Sequence, residues 1–411
     1  MPAQSPSSAT TPAVGVRRRP ADRRGVILDV AARTLSVHGY HSTTLEAIAA
    51  EVGISVPALY RHFPTKYALF AETSRRLADA LRDSLVDVPN AGDDPRAALD
   101  AMLRALVTTT LANRGGGLYR WQSQFLAPDD ADYVRQVVIS QHRRVRAAVI
   151  ALRQDQGRTA ASTAQADALA AAAISAAGSP STHRAPLPAK QAEQILVSNA
   201  LRMVDIDLPG LAETPTPSTD PVGLAPASKR EVILRQSIPL FAEHGFREVS
   251  IEDIARCAGM PPSGVYRHYV NKAAILQTAF WRANDRMIAA IDDALAQARS
   301  PVDAVTRLVS SYVELCSGSA QLIGVYMAEI GHVEAGQRAE LRRQQRRNID
   351  EWAGWVVQSR PGLTLGQARF MVHAALSIAF DLTRVSRPAP PALLSALICE
   401  FLLGDANARN V

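Results

Sequence analysis

The distribution of apolar and polar positions along the chain is typical of a protein built from packed helices. Near the N-terminus, one face of an amphipathic helix with a period of 3.6 residues is formed by Val26, Ile27, Val30, Ala31, Thr34 and Leu35. Long alanine-rich segments and an aromatic content of 5% also favour helices over sheets, because alanine has the highest helix propensity. We therefore predict an all-α fold.

The segment after this first helix carries the signals of a second, shorter helix. Gly39 stands where a left-handed helix end is expected. Either Thr43 or Thr44 can cap the next helix, and Glu46 is placed to close a capping box from Thr43. Gly53 then interrupts the helical pattern. The spacing predicts a short helix that ends in a tight turn.

A third helix is predicted to begin after Ser55 and to run through Phe63. Its proline falls in the first turn, where a missing backbone donor costs little. Leu59 and Phe63 are four residues apart and are expected to face the preceding helix. The residues left on the opposite face are Val56, Pro57, Tyr60 and Arg61. Two short helices joined by a glycine-containing turn form a helix-turn-helix unit.

The chain contains this unit twice. Residues 24–70 align without gaps to residues 230–276, at an offset of 206. The run Tyr60-Arg61-His62 returns as Tyr266-Arg267-His268, and Lys66 returns as Lys272, so that two of only four lysines occupy one equivalent position. An internal repeat of this kind indicates a duplicated structural unit.

The second copy predicts the same arrangement. Ser250 can cap its short helix, Gly259 makes the turn, and a helix is expected from Ser263 through Tyr269. Val265 and Tyr269 take the inward positions. The outward positions are Ser263, Tyr266 and Arg267.

Length and composition divide the chain further. A chain of 411 residues exceeds the size of one hydrophobic core, and a Pro/Thr/Ser-rich stretch separates the two copies. We predict a disordered arm (1–21), a first helix-turn-helix domain (22–68), a first helical regulatory domain (69–205), a linker (206–227), a second helix-turn-helix domain (228–274) and a second helical regulatory domain (275–405).

Charge and cysteine content narrow the function classes. The formal charge is 45 − 39 = +6, which permits a nucleic-acid partner without establishing one. Cys257, Cys316 and Cys399 lie far apart, as free thiols in a reducing compartment do. Because no apolar run approaches the roughly 18 residues of a membrane span, we expect a soluble, cytoplasmic protein without a membrane partner. We predict no cofactor and no metal.

Two stretches, TLEAIAAEVGISVPALYRHFPTKYALF and SIEDIARCAGMPPSGVYRHYVNKAAIL, resemble the DNA-binding signature of the TetR family. The resemblance covers about 50 residues in each copy and extends only loosely over the rest. It implies a transcriptional regulator that binds specific sequences in double-stranded DNA. Repression is the family's usual effect.

The resemblance also implies which residues meet DNA. Major-groove contacts fall on Val56, Pro57, Tyr60, Arg61 and His62, and on Pro262, Ser263, Tyr266, Arg267 and His268. Phosphate contacts fall on Lys66 and Lys272, assisted by Thr44 and Ser250. Arginine can bind guanine through two hydrogen bonds. Because the copies differ in the first turn of the third helix, we expect them to bind non-identical half-sites. Packing roles remain the alternative for the tyrosines and histidines, and ordinary solvated side chains remain the alternative for the two lysines.

For the helical domains, the resemblance implies a four-helix interface made by the last two helices of each unit. The two copies could pair within one chain as a pseudo-dimer, or between chains as a homodimer. Either arrangement can place recognition helices about 34–36 Å apart. A small apolar effector is also implied. Its candidate contacts are Tyr119, Trp121, Phe125, Tyr326, Met327 and His373, for which core packing is the alternative.

Two other functions are alternatives to DNA-binding regulation by both units. The sequence has no paired nucleophile and base, no phosphate-binding glycine loop and no metal-ligand cluster, so we predict that the chain is not an enzyme. A helical enzyme stays the alternative from another class. A degenerate duplicate, in which only one helix-turn-helix binds DNA, also stays open.

Overall fold

The computed structural model describes residues 22–90, 92, 94–114, 125–158, 161–207, 226–385, 388–404 and 406. Within these ranges the first copy contains α1 (Arg23–His38), α2 (Leu45–Val52), α3 (Val56–His62), α4 (Lys66–Asp83), α5 (Pro95–Ala112), α6 (Pro128–Asp155), α7 (Thr163–Gly178) and α8 (Ala189–Val204). The second contains α9 (Lys229–His244), α10 (Ile251–Cys257), α11 (Pro262–Tyr266), α12 (Lys272–Ala296), α13 (Pro301–Glu329), α14 (Ala335–Ser359), α15 (Leu365–Thr383) and α16 (Pro391–Leu403).

The predicted all-α fold of two similar units is confirmed. The predicted N-terminal arm (1–21) and most of the predicted linker (206–227) lie outside the described residues. No helix of the described ranges is long and apolar enough to cross a membrane.

The duplication extends beyond the helix-turn-helix units into the helical domains. Helices α5 and α13 both begin with a proline, at Pro95 and Pro301. Helices α7 and α15 both begin with a capping box, Ser162 with Gln165 in one copy and Thr364 with Gln367 in the other. The prolines are 301 − 95 = 206 residues apart and the capping boxes 364 − 162 = 202 residues apart, so the helical domains repeat these helix starts with a small change in spacing.

Three details of the predicted helix ends are wrong. Gly39 has φ 81° and ψ 161°, so it is not a left-handed helix end, whereas Gly53 is one, at φ 75° and ψ 40°. Thr43 does not cap α2, because it is buried and its hydroxyl donates to the carbonyl of Gly39 at 2.8 Å. The cap is Thr44, which accepts from Ala47 N–H at 3.2 Å. The third helix of the second copy ends early, at Tyr266.

The two copies pack against each other through their last two helices. Helix α7 contacts α15, and α8 contacts both α15 and α16. Buried alanines lie on α7 and α15, and small side chains permit close approach of helix backbones. Ser175 Oγ donates to Asp381 Oδ2 at 2.5 Å, and Arg360 Nη1 donates to Asn199 Oδ1 at 3.0 Å. The structure therefore contains a four-helix contact between the copies of a single chain.

A stacked histidine pair lies in this contact. The rings of His183, from the first copy, and His373, on α15, are 4.1 Å apart and tilted by only 8°. Burial, with nearby Arg114, lowers the pKa of His373 to about 4. Burial also lowers the pKa of His183 well below its usual range, and the neighbouring His373, Arg114 and Arg184 add to this. Both imidazoles are therefore neutral at pH 7.

We expect the stability of the chain to fall as the pH drops from about 6.5 to about 4. In that window the unfolded histidines bind protons that the folded pair excludes, so acid favours unfolding. His373→Phe keeps a ring against His183 and removes one titrating group. Urea unfolding at pH 7 and pH 4.5 should show that this substitution reduces the pH-dependent loss by roughly 2 kcal/mol. An unchanged loss would contradict the assignment.

Candidate nucleic-acid interface

The first helix-turn-helix unit presents one side of α3 to solvent. Leu59 is completely buried and Phe63 is 1% exposed, so both face the core formed with α1, α2 and α4. Tyr60 is 47% exposed and Arg61 is exposed beside it. Val56, predicted to lie on the outer face, is instead half-buried and packs against the core.

The second unit presents α11 in the same way. Val265 is fully buried and Tyr269 is 3% exposed, as predicted. Tyr266 is 55% exposed, and Arg267 and His268 are exposed. Ser263 is exposed, whereas Pro262 is half-buried. Both tyrosines are among the exposed large side chains of the described residues, which favours an outward role over packing for each of them.

Neither outward arginine is committed to a contact inside the protein. In the part of the chain that the structure describes, Arg61 and Arg267 form no hydrogen bond and no ion pair. Their five N–H donors are therefore available to an external acceptor. Guanidinium groups of this kind can bind guanine O6 and N7 together.

An arginine anchor that the sequence analysis missed fixes the end of each recognition helix. Arg24 lies over the ring of Phe63 at 4.4 Å and donates to the carbonyl of His62 at 2.8 Å. In the second copy, Arg230 lies over Tyr269 at 4.6 Å and donates to the carbonyl of His268 at 3.2 Å. The signal was present, because these arginines open the two aligned repeats.

The two repeated lysines hold the start of the fourth helix against the turn after the first. Lys66 Nζ lies 4.7 Å from the centre of the Tyr40 ring and donates to the carbonyl of His41 at 3.1 Å. Lys272 Nζ lies 4.5 Å from the Phe246 ring and donates to Arg247 at 3.1 Å and to Val249 at 2.5 Å. Burial lowers the pKa of both amines.

The helix caps differ in a way that bears on phosphate binding. Thr44 is exposed and accepts one backbone N–H, which leaves its hydroxyl proton free. The hydroxyl of Ser250 donates to Asp253 Oδ2 at 2.6 Å. That bond, with a second from the Ser250 backbone, lowers the pKa of Asp253 to about 2. Among the described residues, the first unit therefore has more unused hydrogen-bond donors than the second. They are the hydroxyl of Thr44 and two N–H groups of Lys66, whereas the second unit has one N–H group of Lys272.

The two units meet near these lysines. Phe125 stacks on Tyr40 at 5.8 Å, and a Cβ added to Gly245 of the second copy would come within 3.2 Å of it. In the second copy, His332 stacks on Phe246 at 4.6 Å. The buried Glu329 accepts from Phe246 N–H at 3.0 Å and pairs with His332 at 3.3 Å. The turns that follow α1 and α9 are thus packed together across the copies.

The candidate effector contacts that the structure describes, one in the first copy and three in the second, lie in different places. Tyr119 and Trp121 lie outside the described residues. Phe125 lies at the junction between the units, Tyr326 packs on Phe280, and His373 stacks on His183. Neither of the two described clefts is lined by any of them, nor by Met327. Three of the described candidates pack against other rings, and an effector role for the candidates of either copy stays a prediction.

Comparison with known proteins supports the assignment of both units. The family model for bacterial regulatory proteins of the tetR family matches residues 27–73 and 233–279. The HTH-type transcriptional repressor KstR2 of Rhodococcus jostii is 23% identical over 167 residues, which is 41% of this chain and 80% of that protein. The transcriptional activator FasR of Mycolicibacterium smegmatis is 35% identical over 98 residues, 23% of this chain and 45% of that protein.

Among solved structures, a TetR-family regulator from Bordetella parapertussis is 21% identical with a TM-score of 0.40, covering 43% of this chain and 95% of its own. KstR2 of Mycobacterium tuberculosis is 18% identical with a TM-score of 0.38, covering 45% of this chain and 96% of its own.

Two helix-turn-helix units with outward recognition helices, each followed by a helical domain, define a DNA-binding transcriptional regulator. The chain carries the DNA-binding domain of the tetR family of bacterial regulatory proteins twice, at residues 27–73 and 233–279. Within the described residues, no group of three or more histidine, cysteine, aspartate or glutamate side chains could hold a metal ion.

Proposed function

We propose that one chain of this protein places both of its helix-turn-helix units on a single DNA duplex and represses the adjacent gene. The observation that carries this proposal is the contact of α7 and α8 with α15 and α16, which joins the two units within one chain. A conventional regulator of this architecture needs two subunits to present two recognition helices. Here the duplication supplies both.

The contacts with DNA follow from the exposed groups. We assign base contacts to Tyr60, Arg61, Tyr266 and Arg267, and further groove contacts to Pro57, His62, Ser263 and His268 on the same faces. Val56 and Pro262 are left at the margin, because both are apolar and half-buried at the start of their helices; His62 is also half-buried. Phosphate contacts fall to Lys66, Lys272, Thr44 and Ser250. Phosphate contacts supply affinity and register, whereas base-edge contacts supply specificity.

The remaining parts of the proposal are the sign of regulation, release by an effector, binding rather than catalysis, and the location in the cell. Both a repressor and an activator stand among the relatives, and we favour repression because blocking a promoter requires only tight binding. Release by a small apolar effector is retained from the family resemblance. A binding role, rather than an enzymatic one, is supported by relatives such as KstR2 and FasR, which are transcriptional regulators. Because the proposed partner is DNA, we expect the protein to act in the cytoplasm.

The salt dependence of DNA binding tests the phosphate contacts. Lys66→Gln keeps an N–H for the carbonyl of His41 but removes the charge, and Lys272→Gln is the matched change in the second unit. After the duplex has been selected from genomic fragments, fluorescence anisotropy gives the slope of log affinity against log salt concentration. We expect each substitution to make this slope shallower by about 1.

The expected order of the two effects comes from the caps. Lys66 and Thr44 have more unused donors than Lys272 and Ser250, so the Lys66 change should have the larger effect on affinity. Equal affinities and slopes for both variants and the unmodified chain would show that neither amine meets a phosphate. An absence of salt-dependent binding by the unmodified chain would instead remove the DNA-binding function itself.

A further inference from the structure

A cleft of about 300 Å³ opens between the first helix-turn-helix unit and the first helical domain. One wall is formed by α1 and α4, which carry Arg33 and Arg76. The other is formed by the end of α5, where Arg114 lies, and by the segment before α8, which carries Arg184. We call this space the arginine cleft. Its volume lies at the lower end of the range for sites that bind small organic molecules.

The charge of the arginine cleft is not balanced by its own walls. Asp29 is the one carboxylate among its described lining residues, and it pairs with Arg76 at 2.9 Å. Arg33 pairs at 3.4 Å with Glu51, which does not line the cleft. Of the carboxylates in the described ranges, none forms an ion pair with Arg114 or Arg184.

Arg114 and Arg184 bind only neutral groups instead. Arg114 Nη2 donates to the carbonyl of Ala185 at 3.0 Å. Arg184 Nη1 donates to the carbonyl of Arg114 at 2.7 Å, and its Nη2 donates to Ser36 Oγ at 3.2 Å. These bonds fix both guanidinium groups in place without neutralising either charge, and they tie the helical domain to the end of α1.

The positive charges of Arg114 and Arg184 are partly desolvated and repel each other in the absence of a ligand. Burial lowers the pKa of both arginines, and the charge of Arg114 lowers that of Arg184 further. Among the described atoms, Arg114 Nε is buried and has no hydrogen-bond partner. Two cations held close together with an unused donor match an anionic oxygen, because guanidinium groups bind carboxylate and phosphate through paired hydrogen bonds.

The second copy shows that this charge is not a requirement of the fold. The second copy has a cleft of about 230 Å³ that shares one lining position with the arginine cleft, at Ala320, and its one described charged residue is Arg384. At the repeat offset, Arg33 and Arg114 correspond to Pro239 and Ala320, whereas Arg76 corresponds to Arg282. A similar unit therefore folds without an arginine at two of these positions, so the fold itself does not require Arg33 or Arg114.

We propose that the arginine cleft binds a small ligand through its anionic group, a carboxylate or a phosphate, held by Arg114 and Arg184. Because the cleft lies between α1 and the helical domain, a bound ligand fixes the orientation of the first helix-turn-helix unit. Binding of the anion stands on the cleft alone. Its effect on DNA affinity rests on the proposed function.

Thermal unfolding with two probes, inorganic phosphate and butanoate, tests the site. Each is compared with chloride at constant ionic strength, and butanoate separates a carboxylate site from a phosphate site. The variants are Arg114→Gln and Arg184→Gln, with Arg33→Gln as an exposed third. Arg384→Gln, in the second cleft, is the matched control. Circular dichroism without added anion establishes that each variant is folded.

We expect at least one probe to raise the Tm of the unmodified chain and of Arg384→Gln. The increase should disappear in Arg114→Gln and Arg184→Gln and shrink in Arg33→Gln. An equal increase in all five proteins, or none in any of them, would overturn the site.

DNA affinity is then measured for the unmodified chain with and without the effective probe. A coupled site changes this affinity by about 5- to 150-fold, and the change is absent in Arg114→Gln. If the Tm increase is present but DNA affinity stays constant, the site stands and its coupling to DNA is wrong. If the chain binds no DNA at all, the proposed function fails while the Tm result still decides the site.

Discussion

Arg61→Ala and Arg267→Ala should each lower the affinity for the selected duplex by about 5- to 150-fold, the range expected when one bidentate base contact is lost. Both side chains are exposed on recognition helices, and neither has a partner within the described part of the chain. Their removal should therefore leave folding intact. Anisotropy titrations at fixed salt measure the affinity.

The pattern of specificity separates base contacts from general electrostatic attraction. Each substitution should relax the preference for one base pair, and the two positions should lie in different half-sites. Arg143→Ala, an exposed arginine on α6, removes the same charge away from both units and should have little effect. Unchanged affinity of Arg267→Ala, together with a large loss for Arg61→Ala, would establish the degenerate-duplicate alternative.

The second large effect concerns the contact between the copies. Phe370 on α15 is completely buried, with its ring 4.7 Å from that of His183 in the first copy. The guanidinium of Arg114 lies 5.7 Å from the same ring. Phe370→Ala leaves a cavity at this contact and should lower the free energy of unfolding by about 3–5 kcal/mol. Urea denaturation measures that loss.

A matched substitution separates the loss of the contact from a general loss of packing. Phe280→Ala removes a ring that is 1% exposed and packs on Tyr326 within the second copy. In a chain carrying a protease site in the predicted linker, the cleaved halves of the unmodified protein and of Phe280→Ala should stay together during size-exclusion chromatography. The halves of Phe370→Ala should separate. If they stay together at the same concentration, Phe370 does not hold the copies together.

The recognition helices could be predicted closely because their signals are local. Ser55, Pro57 and Gly53 determine where α3 begins, and the four-residue spacing of Leu59 and Phe63 determines which side is buried. Tyr60 and Arg61 therefore lie on the outer face of the helix. The early end of α11 at Tyr266 could not be predicted, because no proline or glycine marks that position.

The contacts between the copies could be predicted only in outline. Apolar patterns indicated that the last helices of each unit are buried, but they do not determine which surfaces meet. The effector candidates were chosen from single units for this reason. Phe125 and His373 look like pocket residues in a single unit, and both are used at the junction between units. The sequence around a side chain that the second copy buries does not show that the second copy packs there.

The arginine cleft was also beyond the sequence analysis. Its four arginines come from α1, α4, the end of α5 and the segment before α8, and they converge only in the folded chain. An arginine-rich composition conceals such a set. Within the cleft, Arg114 and Arg184 differ from Arg33 and Arg76 because they have no carboxylate partner among the described residues, and this is a property of position, not of residue type.

The mass of the protein–DNA complex tests the central claim most directly. Native mass spectrometry on the selected duplex, combined with footprinting of both half-sites, counts the chains that protect them. We expect one chain per duplex, with both half-sites protected, and loss of protection at one half-site in Arg61→Ala and at the other in Arg267→Ala. Two chains per duplex, or one chain protecting a single half-site, would contradict the placement of both units of one chain on one DNA.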